Sequence, residues 1–323
     1  MTIRWGLLGC GDIARKRVTA AIKEAPDSQL VSACRRNESK LAEFCREFQV
    51  AKAFTDEAEL IADSDIDAVY IATPVHLHWP QTQAAAKAGK HVLVEKPMAM
   101  STAECDQMIK VCQDAGVQLG VAYYRRFYPI VLRMKEILAS GEIGTPMSIS
   151  AVTATSLDMK PGDDGYWRVI DAEGGGGALM DVGSHRLNLF LDFFGEVRDV
   201  AAFCDILAGT YEGEDCASLL LRFHSGAHGN LQCFFSTPVN ADEFVITGSK
   251  GRLIASPLNG DKLVIDLGQE QREETHPAPE NLHGPLLADF VRACADNRSP
   301  VVDGIEGRKT NEVMERAYQA KNA

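Results

Sequence analysis

The sequence predicts a two-part α/β fold, a parallel sheet wound with helices followed by an antiparallel one, and three observations predict it. Over the first 120 residues short apolar runs alternate with helical patterns, the texture of a βαβ series. A glycine-rich turn, Gly9 to Ala14, closes the first of those runs and opens a helical stretch. Beyond about residue 123 the chain changes to alternating strands without intervening helices, which suggests an antiparallel sheet.

The strands of the first part are expected near 3–8, 29–34, 50–54, 67–73, 91–94 and 117–122. The run from Asp67 to Thr73 is almost continuously apolar, as a parallel strand covered on both faces requires. Ser101 and Glu104 form a capping box for a helix that runs to Ala115 and stops at Gly116, and Gly89 closes the helix before it. In the second part strands are expected at 197–207, 216–223, 229–236 and 243–248, with helical patterns at 178–194, 282–296 and 305–320.

Size and composition bound the function. At 323 residues, 46% hydrophobic and 24% charged, the chain is long enough for two cores, because single cores rarely grow past about 250 to 300 residues. No apolar run approaches the roughly 18 to 20 residues of a membrane span. The amino terminus enters a strand-like pattern at Ile3 with no signal-peptide layout, so a cytoplasmic protein is expected. A net charge of −12 opposes binding to nucleic acid and to anionic lipid. The nine cysteines are odd in number, form no C-x-x-C pair and sit mostly in apolar segments, which argues for a reducing compartment and against zinc or disulfides.

Gly9-Cys10-Gly11-Asp12-Ile13-Ala14 fits the G-x-G-x-x-G/A fingerprint in its strand, turn, helix context. Gly9 permits the tight turn, Gly11 lets a pyrophosphate approach the helix amino terminus, and small Ala14 allows close packing of helix and strand. About 20 residues on, where an NAD-binding chain carries an acid, stands Ala33-Cys34-Arg35-Arg36-Asn37. Two guanidiniums suit a 2′-phosphate and a carboxylate repels it, so NADP(H) is favoured, with NAD(H) as the second possibility.

The strand at 91–94 delivers Glu95-Lys96-Pro97 at its carboxyl end, where ligands of open α/β sheets bind. Lys96 is suited to polarise a substrate oxygen and to move a proton. Asp181 and His185 follow the run Gly174 to Gly177 and stand four apart on one face of the expected helix. The histidine suits proton transfer with an alcohol oxygen, and the carboxylate suits fixing its tautomer or binding a hydroxyl. His76 and His78 form an H-x-H that reads as a cofactor-loop feature, and no metal site is expected. Taken singly, these motifs also have ordinary readings: a glycine turn, solvated arginines, a surface lysine, a surface hydrogen bond.

Together, and over essentially the whole chain, they resemble the glucose-fructose oxidoreductase, inositol dehydrogenase and rhizopine-catabolism family, Gfo/Idh/MocA. The resemblance is carried, in order, by the glycine fingerprint, Ala72-Thr73-Pro74 with His78, Ala88 to Pro97, Tyr124-Arg125-Arg126-Phe127, Tyr166-Trp167-Arg168, and the glycine run ending in Asp181 and His185. It implies a Rossmann domain at 1–122 and, at 123–323, an α/β domain whose open, mostly antiparallel sheet binds substrate and forms oligomer contacts. It also implies Lys96, Asp181 and His185 as catalytic positions, with Glu95, Thr73, Pro74 and His78 near the cofactor. Trp167 and Arg168 are similar to the loop that closes over the nicotinamide, and Tyr124 to a substrate-pocket residue. Val75 departs from the asparagine that many members place after Thr-Pro.

The activity expected is NADP(H)-dependent hydride transfer on a sugar, polyol or related small alcohol or ketone, by a homo-oligomer, dimer or tetramer. Lys96 and His185 remain interchangeable as acid/base and charge stabiliser. The alternatives are a dihydrodiol or aldose dehydrogenase working oxidatively, and a non-catalytic dinucleotide-binding regulatory protein.

Overall fold

A computed structural model describes residues 2–320 and gathers them into two compact units. The first holds the chain up to Tyr124 and again Asn281–Asn311; the second holds Arg125–Glu280 and the chain from Glu312 onward. Among the described residues no helix is long and apolar enough to cross a membrane.

The first unit is built on β1 (Ile3–Leu8), β2 (Ser28–Cys34), β3 (Lys52–Phe54), β4 (Ala68–Ile71), β5 (His91–Val94) and β6 (Leu119–Val121), in the order β3-β2-β1-β4-β5-β6. All five pairings are parallel. The order reverses between β1 and β4, which is the Rossmann arrangement and opens a crevice at the carboxyl ends of those strands. All four residues of β4 are buried; since successive side chains point to opposite faces, both faces are covered.

The crossover helices are α1 (Thr19–Glu24), α2 (Glu38–Phe48), α3 (Glu57–Ala62), α4 (His78–Lys87) and α5 (Thr102–Ala115). Ser101 caps α5 by accepting from the Glu104 amide at 3.2 Å, and Gly116 ends it at φ 68°. The reciprocal bond differs from a capping box by one residue, because the Glu104 carboxylate takes the amide of Met100 at 3.0 Å.

The second unit corrects the expectation of strands without helices after residue 123. It opens with α6 (Pro129–Ser140), whose Ile130, Val131, Met134 and Ile137 are buried at helical spacing between a first-turn proline and left-handed Gly141. Then come β7 (Pro146–Ala154), the single turn α7 (Asp171–Gly174) and α8 (Ser184–Phe194). The remaining strands are β8 (Val197–Asp205), β9 (Cys216–Phe223), β10 (His228–Phe234), β11 (Ala241–Gly248), β12 (Arg252–Ala255), β13 (Lys262–Asp266) and β14 (Gln271–Thr275).

They form an eight-stranded sheet, β14-β13-β12-β11-β7-β10-β9-β8, antiparallel except where β7 pairs parallel with β10. β7 sits in the middle of this sheet, yet its buried residues include Thr153 beside Ile149 and Ala151, so its alternation is faint. β14, Gln-Arg-Glu-Glu-Thr, has no apolar residue at all. One face of the sheet is core, with Leu219, Leu221, Leu231, Phe244 and Ile246 buried. The other face leaves Phe203 77% and Leu220 64% exposed.

The chain then returns to the first unit with α9 (Gly284–Asp296) and the start of α10 (Gly304–Ala320). Phe290 of α9 lies 5.5 Å from the Trp5 ring and occupies the space over Gly120, where a Cβ would meet it at 2.7 Å. Val121 donates to the Val302 carbonyl at 2.9 Å, and Asp303 bridges Gly120, so the segment before α10 covers the β6 edge. A single boundary at 122/123 assigned residues 281–311 to the second part. Helical periodicity shows that α9 has a buried stripe but not which sheet receives it.

Candidate active site

The first unit brings its sequence-predicted residues to one edge of one parallel sheet. Gly9, at the end of β1, has φ +91°, and a Cβ there would lie 2.6 Å from the Ala72 carbonyl oxygen, so two strand ends approach as only glycine allows. A Cβ at Gly11 would meet nothing within 4 Å. That open space, before the buried Ala14 and a helix whose first turn is π (Ala14–Val18), fits a pyrophosphate held at a helix amino terminus. Asp12 is exposed and pairs with Lys16 at 3.0 Å, and Ile13 is half-buried. Arg35, at the end of β2, donates to the Cys10 carbonyl at 2.6 Å and thus lies against the glycine loop, while Arg36 is exposed.

After β4, the Thr73 hydroxyl donates to Gln81 at 2.6 Å, and half-buried Pro74 leads into the turn Val75–Leu77. His78 is buried with Nε2 2.9 Å from the Thr73 carbonyl and Nδ1 3.0 Å from that of Pro97. It therefore ties the loop after β4 to the loop after β5. Burial pushes His78 below its ordinary range, against the pull of those carbonyls and of Glu95.

Glu95 and Lys96 follow β5. The Glu95 carboxylate is buried and accepts from the Tyr70 hydroxyl at 2.8 Å and from the Lys96 amide at 3.2 Å, with His283 Nε2 3.5 Å away. Burial raises its pKa, but His283, Tyr70 and Lys96 together hold it below the usual carboxylate range. Tyr124 is also buried: its ring stacks on His283 at 4.3 Å and its hydroxyl accepts from Arg17 at 2.9 Å.

The second unit holds the remaining sequence-predicted residues. Trp167 and Arg168 share the turn Tyr166–Val169, with the guanidinium 4.8 Å from the indole centre and its Nε 3.8 Å from an Asp181 oxygen. Asp181 does not lie on an ordinary α-helix. Leu179–Gly183 is a π turn, closed by the Ser184 amide on the Leu179 carbonyl, and His185 follows, buried, at the start of α8. π turns of this kind recur at functional sites.

The glycine run has a packing cause. Glu214 accepts from the Gly177 and Leu179 amides, each at 2.8 Å, and from the Tyr318 hydroxyl at 3.0 Å, while its own carbonyl takes the Ala178 amide at 2.9 Å. A Cβ on Gly177 would overlap the Glu214 backbone, one on Gly176 the Tyr318 hydroxyl, and one on Gly174 the Trp167 carbonyl. Burial pushes the Glu214 carboxyl up, although these donors oppose it. Farther along α8, Arg126 donates to Asn188 at 2.8 Å and lies 3.3 Å from Asp192, and Arg186 pairs with Asp242.

Sequence reasoning missed Tyr70, Glu214, His283 and Tyr318. Each is a polar group inside or beside an apolar segment, and its partner stands 25 to 188 positions away for the first and third. Among the described residues no group of three or more His, Cys, Asp or Glu side chains could hold a metal ion.

A glycine-fingered crevice at the β1/β4 reversal, with a lysine at the end of β5, is how an NAD(P)-dependent oxidoreductase is built. The family model "Oxidoreductase family, NAD-binding Rossmann fold" matches residues 3–123, and the "GFO/IDH/MocA C-terminal domain" matches residues 131–254. The chain is 33% identical to 1,5-anhydro-D-fructose reductase of Ensifer adhaerens, over 94% of this chain and 92% of the relative. It is 29% identical to D-xylose 1-dehydrogenase (NADP(+)) 2 of Haloferax volcanii, over 98% of this chain and 96% of that one. Among solved structures, aldose-aldose oxidoreductase from Caulobacter crescentus, complexed with glycerol, superposes with a TM-score of 0.91 at 28% identity, covering 100% of this chain and 98% of that one. The chain belongs to the Gfo/Idh/MocA oxidoreductase family.

Gly177→Ala is expected to destabilise the protein by about 1 to 3 kcal/mol, the usual cost of forcing a methyl into filled space. The shift in thermal midpoint checks it, and a midpoint equal to wild type would show that the Glu214 clamp yields freely.

Proposed function

We propose that this protein is an NADP(H)-dependent oxidoreductase that interconverts a secondary alcohol and a ketone, or a hemiacetal and a lactone, on a sugar, polyol or related small molecule. The observation that carries this reading is the row of loops at the carboxyl ends of β1, β4 and β5: the glycine fingerprint, Thr73-Pro74, and Glu95-Lys96. The named activities of the reductase and dehydrogenase relatives support the substrate class.

Gly9, Gly11 and Ala14 would hold the dinucleotide with Thr73, Pro74 and Glu95, and Trp167 and Arg168 would cover its nicotinamide end. Bound nicotinamide supplies or takes up the hydride. Lys96 stabilises negative charge on the substrate oxygen, His185 takes the alcohol proton in oxidation and returns it in reduction, and Asp181 binds a substrate hydroxyl. Lys96 and His185 can exchange these parts, since both suit an oxygen that gains or loses a proton. A cytoplasmic site of action fits nine cysteines that form no disulfide among the described residues.

Lys96→Met keeps length and removes charge. It is expected to leave the fold and most NADPH affinity intact while lowering turnover roughly 10²- to 10⁴-fold, the range for a positioned acid/base or electrostatic group. Near wild-type turnover on the best member of a sugar and polyol panel would refute the mechanism.

Cofactor choice follows from Arg35 against the glycine loop and Arg36 exposed beside it. NADPH is expected to bind ahead of NADH, and Arg35→Asp with Arg36→Ala to cost about 2 to 4 kcal/mol of that preference. Equal affinities of the wild type in a fluorescence titration would remove the basis for the NADP(H) assignment.

The open sheet face with Phe203 and Leu220 is proposed to meet its counterpart in a homo-oligomer, because large apolar side chains left bare on a sheet mark a contact surface. Sedimentation is expected to give a dimer or tetramer; a single species of the chain's own 35.2 kDa at micromolar concentration would overturn it.

A further inference from the structure

The proposed mechanism leaves one buried histidine unused. His283 stands just before α9, where the Asn281 side chain accepts from the His283 amide at 3.0 Å and donates to the Arg17 carbonyl at 3.0 Å. Its ring has no exposed surface. One side lies against Tyr124, itself under the Arg17 guanidinium at 5.5 Å, and Nε2 points to the Glu95 carboxylate. Burying an imidazole this completely is costly unless its polar edge meets a partner, and Glu95 is the acceptor within reach.

Glu95 in turn is bonded to the backbone amide of Lys96. A buried carboxylate exerts a strong local field, which neighbouring donors and cations divide among themselves. We propose that His283 is a positioning residue: by donating to Glu95 it fixes that carboxylate and shares its charge, and so sets the orientation and proton affinity of Lys96. The inference rests on the catalytic part assigned to Lys96. The groups facing Glu95 are Tyr70 from β4, Lys96 from β5, His78 from α4, His283 before α9, and, behind it, Tyr124 with Arg17. His283 reaches it from the segment that rejoins the first unit.

The test compares His283→Phe, which keeps a ring against Tyr124 but cannot donate, with His283→Gln, which keeps a donor. In the phenylalanine variant kcat is expected to fall about ten- to a hundredfold, as for other lost orienting groups, with the substrate KM little changed. Its kcat–pH profile should move to higher pH, because Glu95 then leans on Lys96 without its second donor. His283→Gln should recover most of the rate. Unchanged kcat and pH profile in His283→Phe would overturn the proposal, and so would a lowered melting point with an unshifted profile.

A readout independent of turnover uses isotope-labelled dimethyl-lysine, with the Lys96 resonance identified by its loss in Lys96→Met. Its titration should move upward in His283→Phe, and an unmoved titration overturns the proposal. Failure of Lys96→Met to lose turnover would sink the catalytic reading instead, and the lysine titration separates the two.

Discussion

The charge on Glu95 is the constraint around which the first unit is organised. A carboxylate removed from water costs several kcal/mol unless donors replace the lost hydration. Tyr70 from β4 and the Lys96 amide after β5 do so, and His283 Nε2 stands 3.5 Å from the carboxylate, before α9. That requirement explains why an aromatic hydroxyl sits inside an otherwise aliphatic strand. His283 comes to this carboxylate from residues 281–311, which return to the unit that the chain left at residue 124. Lys96 thereby follows a strand end whose neighbour Glu95 is held by its own partners, as the catalytic part proposed for Lys96 requires.

The second unit solves a related problem with a different device. Its helix toward Asp181 and His185 begins among amides that lack intrahelical partners. Glu214 accepts from two of them, as a capping side chain does, although it comes from the approach to β9 and not from the residue before the helix. Four consecutive glycines let the chain pass close enough for this, squeezed between Trp167, Tyr318 and Glu214. The run is thus a tightly packed approach to the helix.

What was legible in the sequence was what is local. The fingerprint at Gly9 to Ala14 shows its strand, turn, helix context within a few positions, and so does the place of Lys96 just after an apolar strand, whereas the helix expected under Asp181 and His185 begins as a π turn. The central parallel strands such as β4 are legible too, because burial on both faces makes them almost continuously apolar. The second sheet was less legible: β7 mixes small and polar residues, β14 is wholly polar, and α6 follows β6 so closely that its stripe was absorbed into the expected alternation. The π turn at Leu179–Gly183 leaves no periodic trace, since five residues are too few to separate from an α-helix. Glu214, Tyr318 and His283 act through partners far along the chain, and a single sequence holds no record of such pairings.

The two buried carboxylates also differ in sign, and this bears on how the protein meets acid. Glu95 is held below its unfolded pKa by its donors, so its contribution to stability is present above the unfolded value and is lost as pH falls through the folded one. Glu214 is pushed above its unfolded pKa by burial. Its contribution is complete below the unfolded value and is lost as pH rises through the folded one. On acidification Glu214 therefore takes up its proton before Glu95 does. A protonated Glu214 keeps one oxygen as a good acceptor and turns the other into a donor, so proton uptake redistributes the bonds at the start of the π turn even though burial favours the neutral carboxyl. The helix start in the second unit is thus the more acid-responsive of the two sites, and the Lys96 strand end the more resistant, because one carboxyl is opposed by burial and the other is held charged by its donors.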